Sequence, residues 1–276
     1  MKGHAMKLLL LSTCAAALLV ALPAAQQKTY PPVQRMADGH PDMSGVYQTD
    51  ARARVGTWDE ANQGIGVAEP APPAAGAQGR GRGRGRQSGP PYQPWAAKLV
   101  LDDYNNRNVD SSTAKCMPNP MLLNVGLFPV EFVQTPKKLV ILMEYMGLNR
   151  NIPIGEPFPD DIEPTYLGTS VGHWEGNTLV VETKEFNEQL HAGGGGGRMH
   201  SDALHTIERF TRVDYNTVKW DVVWEDSKVL TRPDELHSQF MLRPGTRLRE
   251  YVCQENNQDP AIYDVMKKAG DLHIRK

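Results

Sequence analysis

The residues with the most chemical potential lie on two neighbouring strands that the sequence predicts at 203–214 and 217–226. A two-residue turn at Tyr215-Asn216 would fix how the side chains of these strands pair. One face then collects His205, Arg209, Trp220, Trp224 and Asp226. Two indole rings beside a few polar groups are typical of a pocket for a small, partly apolar ligand. The same residues also fit a packed core with satisfied polar groups, and a one-residue change in the turn would reverse the faces.

The same register suggests an enzyme as the alternative. It places His205 opposite Asp226, and a histidine beside a carboxylate is the arrangement that general acid–base catalysis uses. The alternative is therefore a barrel-based isomerase or hydrolase that uses this pair or a metal. No Gly-x-Ser-x-Gly elbow and no phosphate-binding Gly-x-x-x-x-Gly-Lys-Ser/Thr loop occurs, so no particular reaction is indicated. No cofactor is predicted.

Three potential metal ligands lie close together in the sequence: His200, Asp202 and His205. Their spacing matches no standard zinc pattern. On a regular strand Asp202 and His205 would point to opposite faces, so a metal site would need residues 200–202 to form a loop.

A second hairpin adds His173 to the candidate ligand-binding residues. Gly176-Asn177, between two runs of alternating apolar residues, predicts a two-residue turn. This turn places Trp174 opposite Leu179 and His173 opposite Val180. His173 is then either part of a binding site or a half-exposed residue at the rim of the sheet.

Strands dominate the predicted structure from residue 128 onward. The run 139–143 is continuously apolar, as expected for a strand covered on both faces. Turn signals separate about eight strands: 130–135, 139–143, 165–175, 178–186, 203–214, 217–226, 236–243 and 247–253. One helix is predicted to start at Pro94 and end before Asn105, and a short helix at 260–269.

Short connections between consecutive strands predict an all-β, mainly antiparallel fold. We expect an up-and-down β-barrel, lipocalin-like, with one or two short helices and with an open end that admits the ligand. A β-sandwich is the alternative architecture.

The N-terminal residues have the pattern of a secretory signal peptide. Lys2 and Lys7 precede an apolar stretch at 8–22, and Pro23-Ala24-Ala25 supplies small residues before a cleavage site. The apolar stretch is shorter than the ~20 residues of a permanent membrane anchor. We therefore predict a signal peptide at 1–25, no transmembrane anchor, and a periplasmic or secreted protein of a Gram-negative-type cell.

Composition divides the remaining chain into an N-terminal segment at 26–67, an insertion at 68–91 and a single β-rich domain at 92–276. The insertion is rich in Pro and Ala and then alternates Gly and Arg, which predicts a disordered, low-complexity region. The formal net charge of −2 provides no electrostatic basis for binding nucleic acid. The Arg-Gly run allows a third function, an envelope interaction protein that contacts a polymer or a protein partner.

Two cysteines remain once Cys14 leaves with the signal peptide. Disulfides form and persist outside the cytoplasm, so Cys116 and Cys253 are predicted to form a structural disulfide bond.

Several segments resemble an uncharacterised family of secreted bacterial proteins. The likeness is carried by residues 41–47, by His-Trp-Glu-Gly-Asn-Thr-Leu-Val-Val-Glu-Thr at 173–183, by Ser-Asp-Ala-Leu-His at 201–205 with Glu-Arg-Phe at 208–210, and by Glu-Tyr-Val-Cys at 250–253. Tyr47 stands where members usually carry Trp, and His173 where they often carry Arg. The resemblance covers most of the mature chain except the Arg-Gly insertion. It implies secretion and a single domain, and it implies no activity.

Overall fold

The structure, a computed structural model, describes residues 31–49, 90–105, 109, 112, 114–119, 128–191, 198–255, 257 and 259–270. The predicted signal peptide and nearly all of the predicted insertion lie outside the described residues. Within the described part, the chain forms nine strands: β1 Gly45–Thr49, β2 Val130–Thr135, β3 Lys138–Met143, β4 Asn149–Pro153, β5 Thr169–Glu175, β6 Thr178–Lys184, β7 His205–Arg212, β8 Thr217–Glu225 and β9 Asp234–Leu242. Two helices accompany them, α1 Pro94–Asn105 and α2 Asp259–Lys268, with a 3₁₀ turn at Tyr145–Gly147.

The nine strands form one sheet that curls into a nearly closed barrel, which confirms the predicted all-β barrel. Their order is β4-β3-β2-β1-β9-β8-β7-β6-β5, and every neighbouring pair in this order is antiparallel. The two outer strands, β4 and β5, meet at a parallel bridge between Ile154 and Gly172. The barrel is therefore closed by a contact between its fourth and fifth strands.

The odd number of strands explains why this closing contact is parallel. Directions alternate around a ring of antiparallel strands, so an even number closes without a mismatch and an odd number leaves one parallel pair. Here that pair is β4 and β5. Gly155 N–H donates to the carbonyl of Gly172 at 2.7 Å beside the bridge, and residues 149–151 of β4 and 169–171 of β5 line a cleft next to it. We call this interrupted closure the seam.

Large apolar side chains fill the barrel interior. The largest side chains with almost no exposure include Tyr47, Phe132, Phe210, Trp220, Trp224 and Phe240. Phe240 packs at 5.1 Å from Trp220 and 5.2 Å from Phe132, measured between ring centroids. The interior is thus a packed core.

Both ends of the barrel are covered. At the end where β5 turns into β6, His40 stacks on Trp174 with ring centroids 4.4 Å apart, and Met43 is fully buried. At the opposite end α1 places Ala97 and Val100 in the core. The open-ended barrel expected from the sequence is therefore wrong for the part of the chain that the structure describes.

Two predicted features of the fold change in the structure. Residues 247–253 form no strand, because β1 already pairs with the edge of β9 that a further strand would need. β1 and β4 were not predicted, and β1 adds a piece of the N-terminal segment to the β-rich domain. The predicted disulfide is present between Cys116 and Cys253, whose Cα atoms are 5.6 Å apart.

Candidate functional site

The predicted common face of β7 and β8 is wrong by one residue. The turn between these strands has three residues, 214–216, because Val213 N–H donates to the Thr217 carbonyl at 3.0 Å and continues the register in which Arg212 pairs with Val218. Within this turn the Asp214 carboxylate accepts a hydrogen bond from Asn216 N–H at 2.7 Å. Trp220 therefore pairs with Phe210. The inner face carries Trp220 and Trp224 with Thr206, Glu208 and Phe210, while His205 and Arg209 lie on the outer face.

The outer-face residues pair with carboxylates on neighbouring strands. His205 lies between Glu225, 2.9 Å from Nδ1, and Glu182, 2.9 Å from Nε2. Arg209 donates to Glu175 at 2.6 Å, and His173 contacts the same carboxylate at 3.3 Å. These half-exposed groups form a charged lattice across β5–β8. The hairpin register around His173 agrees with the sequence prediction, with Trp174 opposite Leu179.

Asp226 organises a loop and does not pair with His205. Its buried carboxylate accepts hydrogen bonds from Ser201 N–H at 2.6 Å, from the Ser201 hydroxyl at 2.8 Å and from Val229 N–H at 3.1 Å. The two Ser201 donors hold the connection that follows β8 against the connection that precedes β7, and Val229 N–H closes a turn within the connection that follows β8. The acid–base pair of His205 and Asp226 predicted from the sequence is absent.

The three predicted metal ligands point to different surroundings. His200 is fully buried against Trp224, Asp202 is exposed and paired with Lys228 at 2.5 Å, and His205 lies on the outer face. Among the described residues, no group of three or more His, Cys, Asp and Glu side chains lies close enough to hold a metal.

The buried imidazole of His200 is expected to make stability depend on pH. Desolvation holds the pKa of His200 below its ordinary value of 6.5, although Asp226 opposes this shift. The folded protein therefore resists protonation that the unfolded chain accepts, and its free energy of unfolding should fall as the pH drops below 6.5, by at most about 1.4 kcal/mol per pH unit. His200→Gln should flatten this decline in urea unfolding measured from pH 7.5 to 5. Parallel curves for the two proteins would contradict the assignment.

A cleft of about 460 Å³ opens at the seam between β4 and β5. Its apolar wall includes Leu148, Pro157, Tyr166, Leu167 and Val171. Arg150 and Ser170 are its innermost lining residues, since each is 4% exposed and lies on the inward face of its strand. The cleft therefore reaches two buried polar side chains from the side of the barrel, and it is large enough for a small ligand.

Arg150 connects four strands through one guanidinium group. It donates from Nε to the Ser170 hydroxyl on β5 at 2.9 Å and from Nη2 to Thr183 on β6 at 2.6 Å. It also forms a buried ion pair with Glu208 on β7. The other carboxylate oxygen of Glu208 accepts a hydrogen bond from Trp220 Nε1–H at 3.1 Å. The side-chain bonds of Arg150 therefore link β4 to its neighbours across the seam, where regular strand pairing is missing.

Arg150 and its network were missed by the sequence analysis. β4 reads Asn-Arg-Asn-Ile-Pro, a composition that strands disfavour, and an arginine is seldom fully buried. The sequence of β7 does contain a signal, because Thr206, Glu208 and Phe210 are spaced two residues apart and therefore share the inward face. Once the three-residue loop is recognised, Glu208 falls on the buried face and requires a cationic partner.

These features define a nine-stranded β-barrel that is covered at both ends and has a ligand-sized cleft through its wall. No protein-family model matches the chain. No curated protein matches it either. Among solved structures, the chain is similar to the crystal structure of a mutant of the fluorescent protein UnaG, with 15% identity over 48% of this chain and 86% of that chain, at a TM-score of 0.28. A TM-score this low does not support a common fold. The barrel is therefore described from the pairing of its own strands.

Neither helix of the described residues has the length and the apolar composition of a membrane-spanning segment.

Proposed function

We propose that this is a periplasmic or secreted binding protein that holds a small, partly apolar molecule in the seam cleft. The observation that carries the proposal is the lateral opening of about 460 Å³ with buried Arg150 and Ser170 at its inner side. Binding sites for small molecules are typically concave, mostly apolar and supplied with a few polar groups that fix orientation. The Cys116–Cys253 disulfide supports an oxidising compartment.

In this proposal the ligand enters through the side of the barrel, whereas the sequence predicted entry through an open end. Among the described residues, buried aromatic side chains fill the barrel interior and both ends are covered, which supports a site at the side of the barrel. Trp220 and Trp224 keep a role in this proposal as fully buried supports. Trp220 acts through its hydrogen bond to Glu208, which in turn holds Arg150 at the cleft.

The first test is native mass spectrometry of the mature protein produced in a periplasm, followed by denaturation of the same sample. We expect an additional mass that is lost on denaturation, and its size would identify the class of organic ligand. A bare polypeptide mass would count against the proposal.

Filling the cleft should abolish binding. Val171 lines the cleft from the outer face of β5, so Val171→Trp would place an indole ring in the space proposed for the ligand. The matched control is Val223→Trp, which adds the same ring on the outer face of β8 away from the cleft. We expect the bound mass to disappear from the first variant and to remain in the second, provided that both melt near the wild-type temperature. Retention of the mass by folded Val171→Trp would exclude this cleft as the site.

A further inference from the structure

The edge of β4 that faces the seam carries main-chain groups in the spacing of a β-strand. The residues that flank β4, Leu148 and Ile154, each make a main-chain hydrogen bond of 2.8 Å on the β3 side. Residues of an antiparallel strand alternate between those that bond to the neighbouring strand and those that point away from it. Asn149 and Asn151 therefore direct their N–H and C=O groups toward the seam.

These seam-facing groups are open to a ligand. Among the described residues, the N–H and C=O of Asn149 and the N–H of Asn151 have no hydrogen-bond partner. Both residues line the cleft. An unpaired strand edge is a template for another extended chain, because its free N–H and C=O groups can bond to the main chain of that partner.

A proline explains why β5 does not occupy this edge. Gly155 N–H donates to the Gly172 carbonyl at the parallel bridge. The next donor along β4 in the same ladder would be residue 153, two positions earlier, and its acceptor would be the Ser170 carbonyl. Pro153 has no N–H and cannot make this bond. Regular pairing with β5 therefore ends before it reaches Asn151.

An extended chain on this edge would also fit the directions of the two strands at the seam. β4 and β5 are parallel there, so a chain that is antiparallel to one is antiparallel to the other. Such a chain would be a tenth strand, and an even number of strands closes without a parallel pair. At about 3.3 Å per residue, the edge from Asn149 to Asn151 accepts a peptide of about three or four residues.

The walls of the cleft favour apolar side chains on this peptide. Val171 lines the cleft from the outer face of β5, and Tyr166 and Leu167 line it from the connection between β4 and β5. The volume of about 460 Å³ limits the occupant to a few residues. The main-chain groups would provide the affinity for an extended backbone and the walls the preference for its side chains.

We propose that the ligand of the seam cleft is a short extended peptide with apolar side chains, which pairs antiparallel with the edge of β4. Asn149 and Asn151 bind it through their main chains. This inference rests on the proposed function, since it names the class of ligand for the same cleft.

The first test compares two peptides with the same side chains on wild-type protein by calorimetry. One is acetyl-Val-Ala-Val-Ala-amide, and the other is the same peptide with every amide nitrogen methylated. Methylation removes the N–H groups that would donate to the Asn149 carbonyl. The unmethylated peptide should bind at least about tenfold more tightly. Equal affinities would overturn strand pairing as the mode of binding.

The second test removes one donor from the protein. Asn151→Pro deletes the seam-facing N–H, and a strand edge tolerates proline where the N–H does not bond to the neighbouring strand. Asn151→Ala is the matched variant, because it keeps the N–H and loses the same side chain with its hydrogen bond to Asn149. Asn151→Pro should bind the unmethylated peptide about three- to tenfold more weakly than Asn151→Ala. Equal affinities of the two folded variants would overturn the assignment to the edge of β4.

A third probe separates this inference from the proposed function. 2-Naphthylacetamide is small and partly apolar, and it has no peptide main chain to pair with a strand. Binding of this amide without binding of the peptide would overturn the peptide class and leave the binding function standing. If neither probe binds and native mass spectrometry shows a bare polypeptide, the binding function is overturned as well.

Discussion

Arg150→Met should lower the free energy of unfolding by about 3 to 5 kcal/mol, a large fraction of the stability of a typical domain. The substitution removes the hydrogen bonds that join β4 to Ser170 and Thr183, and it leaves the Glu208 carboxylate buried without its partner. Urea unfolding followed by tryptophan fluorescence measures the loss. The double variant Arg150→Met/Glu208→Gln buries no charge and should lose only about 1 to 2 kcal/mol, because its remaining cost is that of hydrogen bonds.

The outer face offers a matched control for this comparison. Arg209 also pairs with a glutamate, Glu175, at 2.6 Å, but both side chains are nearly half exposed. Arg209→Met should therefore cost far less than Arg150→Met, because solvent screens an exposed ion pair. Equal losses for Arg150→Met and Arg209→Met would show that the buried pair does not hold the seam.

Removal of the disulfide should have an effect of similar size. Cys116 and Cys253 are separated by 137 residues, and closing a loop of this length stabilises a protein by about 4 to 5 kcal/mol in the chain-entropy model. Cys116→Ala/Cys253→Ala should lower the urea midpoint accordingly. The wild-type protein should match the double variant after full reduction, and the double variant itself should be insensitive to reductant. A double variant as stable as the oxidised wild type would show that the denatured chain gains little freedom without the bond.

The disulfide also helps to position one wall of the cleft. Cys116 lies two residues before Pro118, which lines the cleft and whose carbonyl accepts a hydrogen bond from Gln189 at 2.7 Å. The disulfide therefore fixes one side of this wall and Gln189 the other.

The barrel class was predictable because hairpin turns are local signals. Gly176-Asn177 determines the register of β5 and β6 through two residues alone, and the structure has the predicted pairs. The prediction for the next turn was wrong because the Asp214 carboxylate accepts a hydrogen bond from Asn216 N–H, two residues further on. This bond accompanies a turn of three residues where two were predicted. That single residue moved His205 and Arg209 to the outer face and Glu208 to the core.

The seam could not be predicted from local sequence, for a different reason. Its strand β4 has the composition of a loop, and it is held by side-chain bonds to strands that lie up to 58 residues away in sequence, at Glu208. A strand stabilised in this way shows no periodicity that a sequence window can detect. Likewise, pairing between β1 and β9 depends on which edges remain free after the other strands have formed.

The position of β1 between β2 and β9 has a consequence for how the protein folds and how it can be shortened. β1 is hydrogen-bonded to β9, the last strand of the described residues, so this pair must wait until almost the whole chain is available, and contacts of such long range slow folding. Eight strands formed without it would expose the edges of β2 and β9, which invite pairing between molecules. Trimming the chain at residue 92 would therefore produce a barrel prone to aggregation, whereas removal of the predicted signal peptide at 1–25 would leave β1 in place.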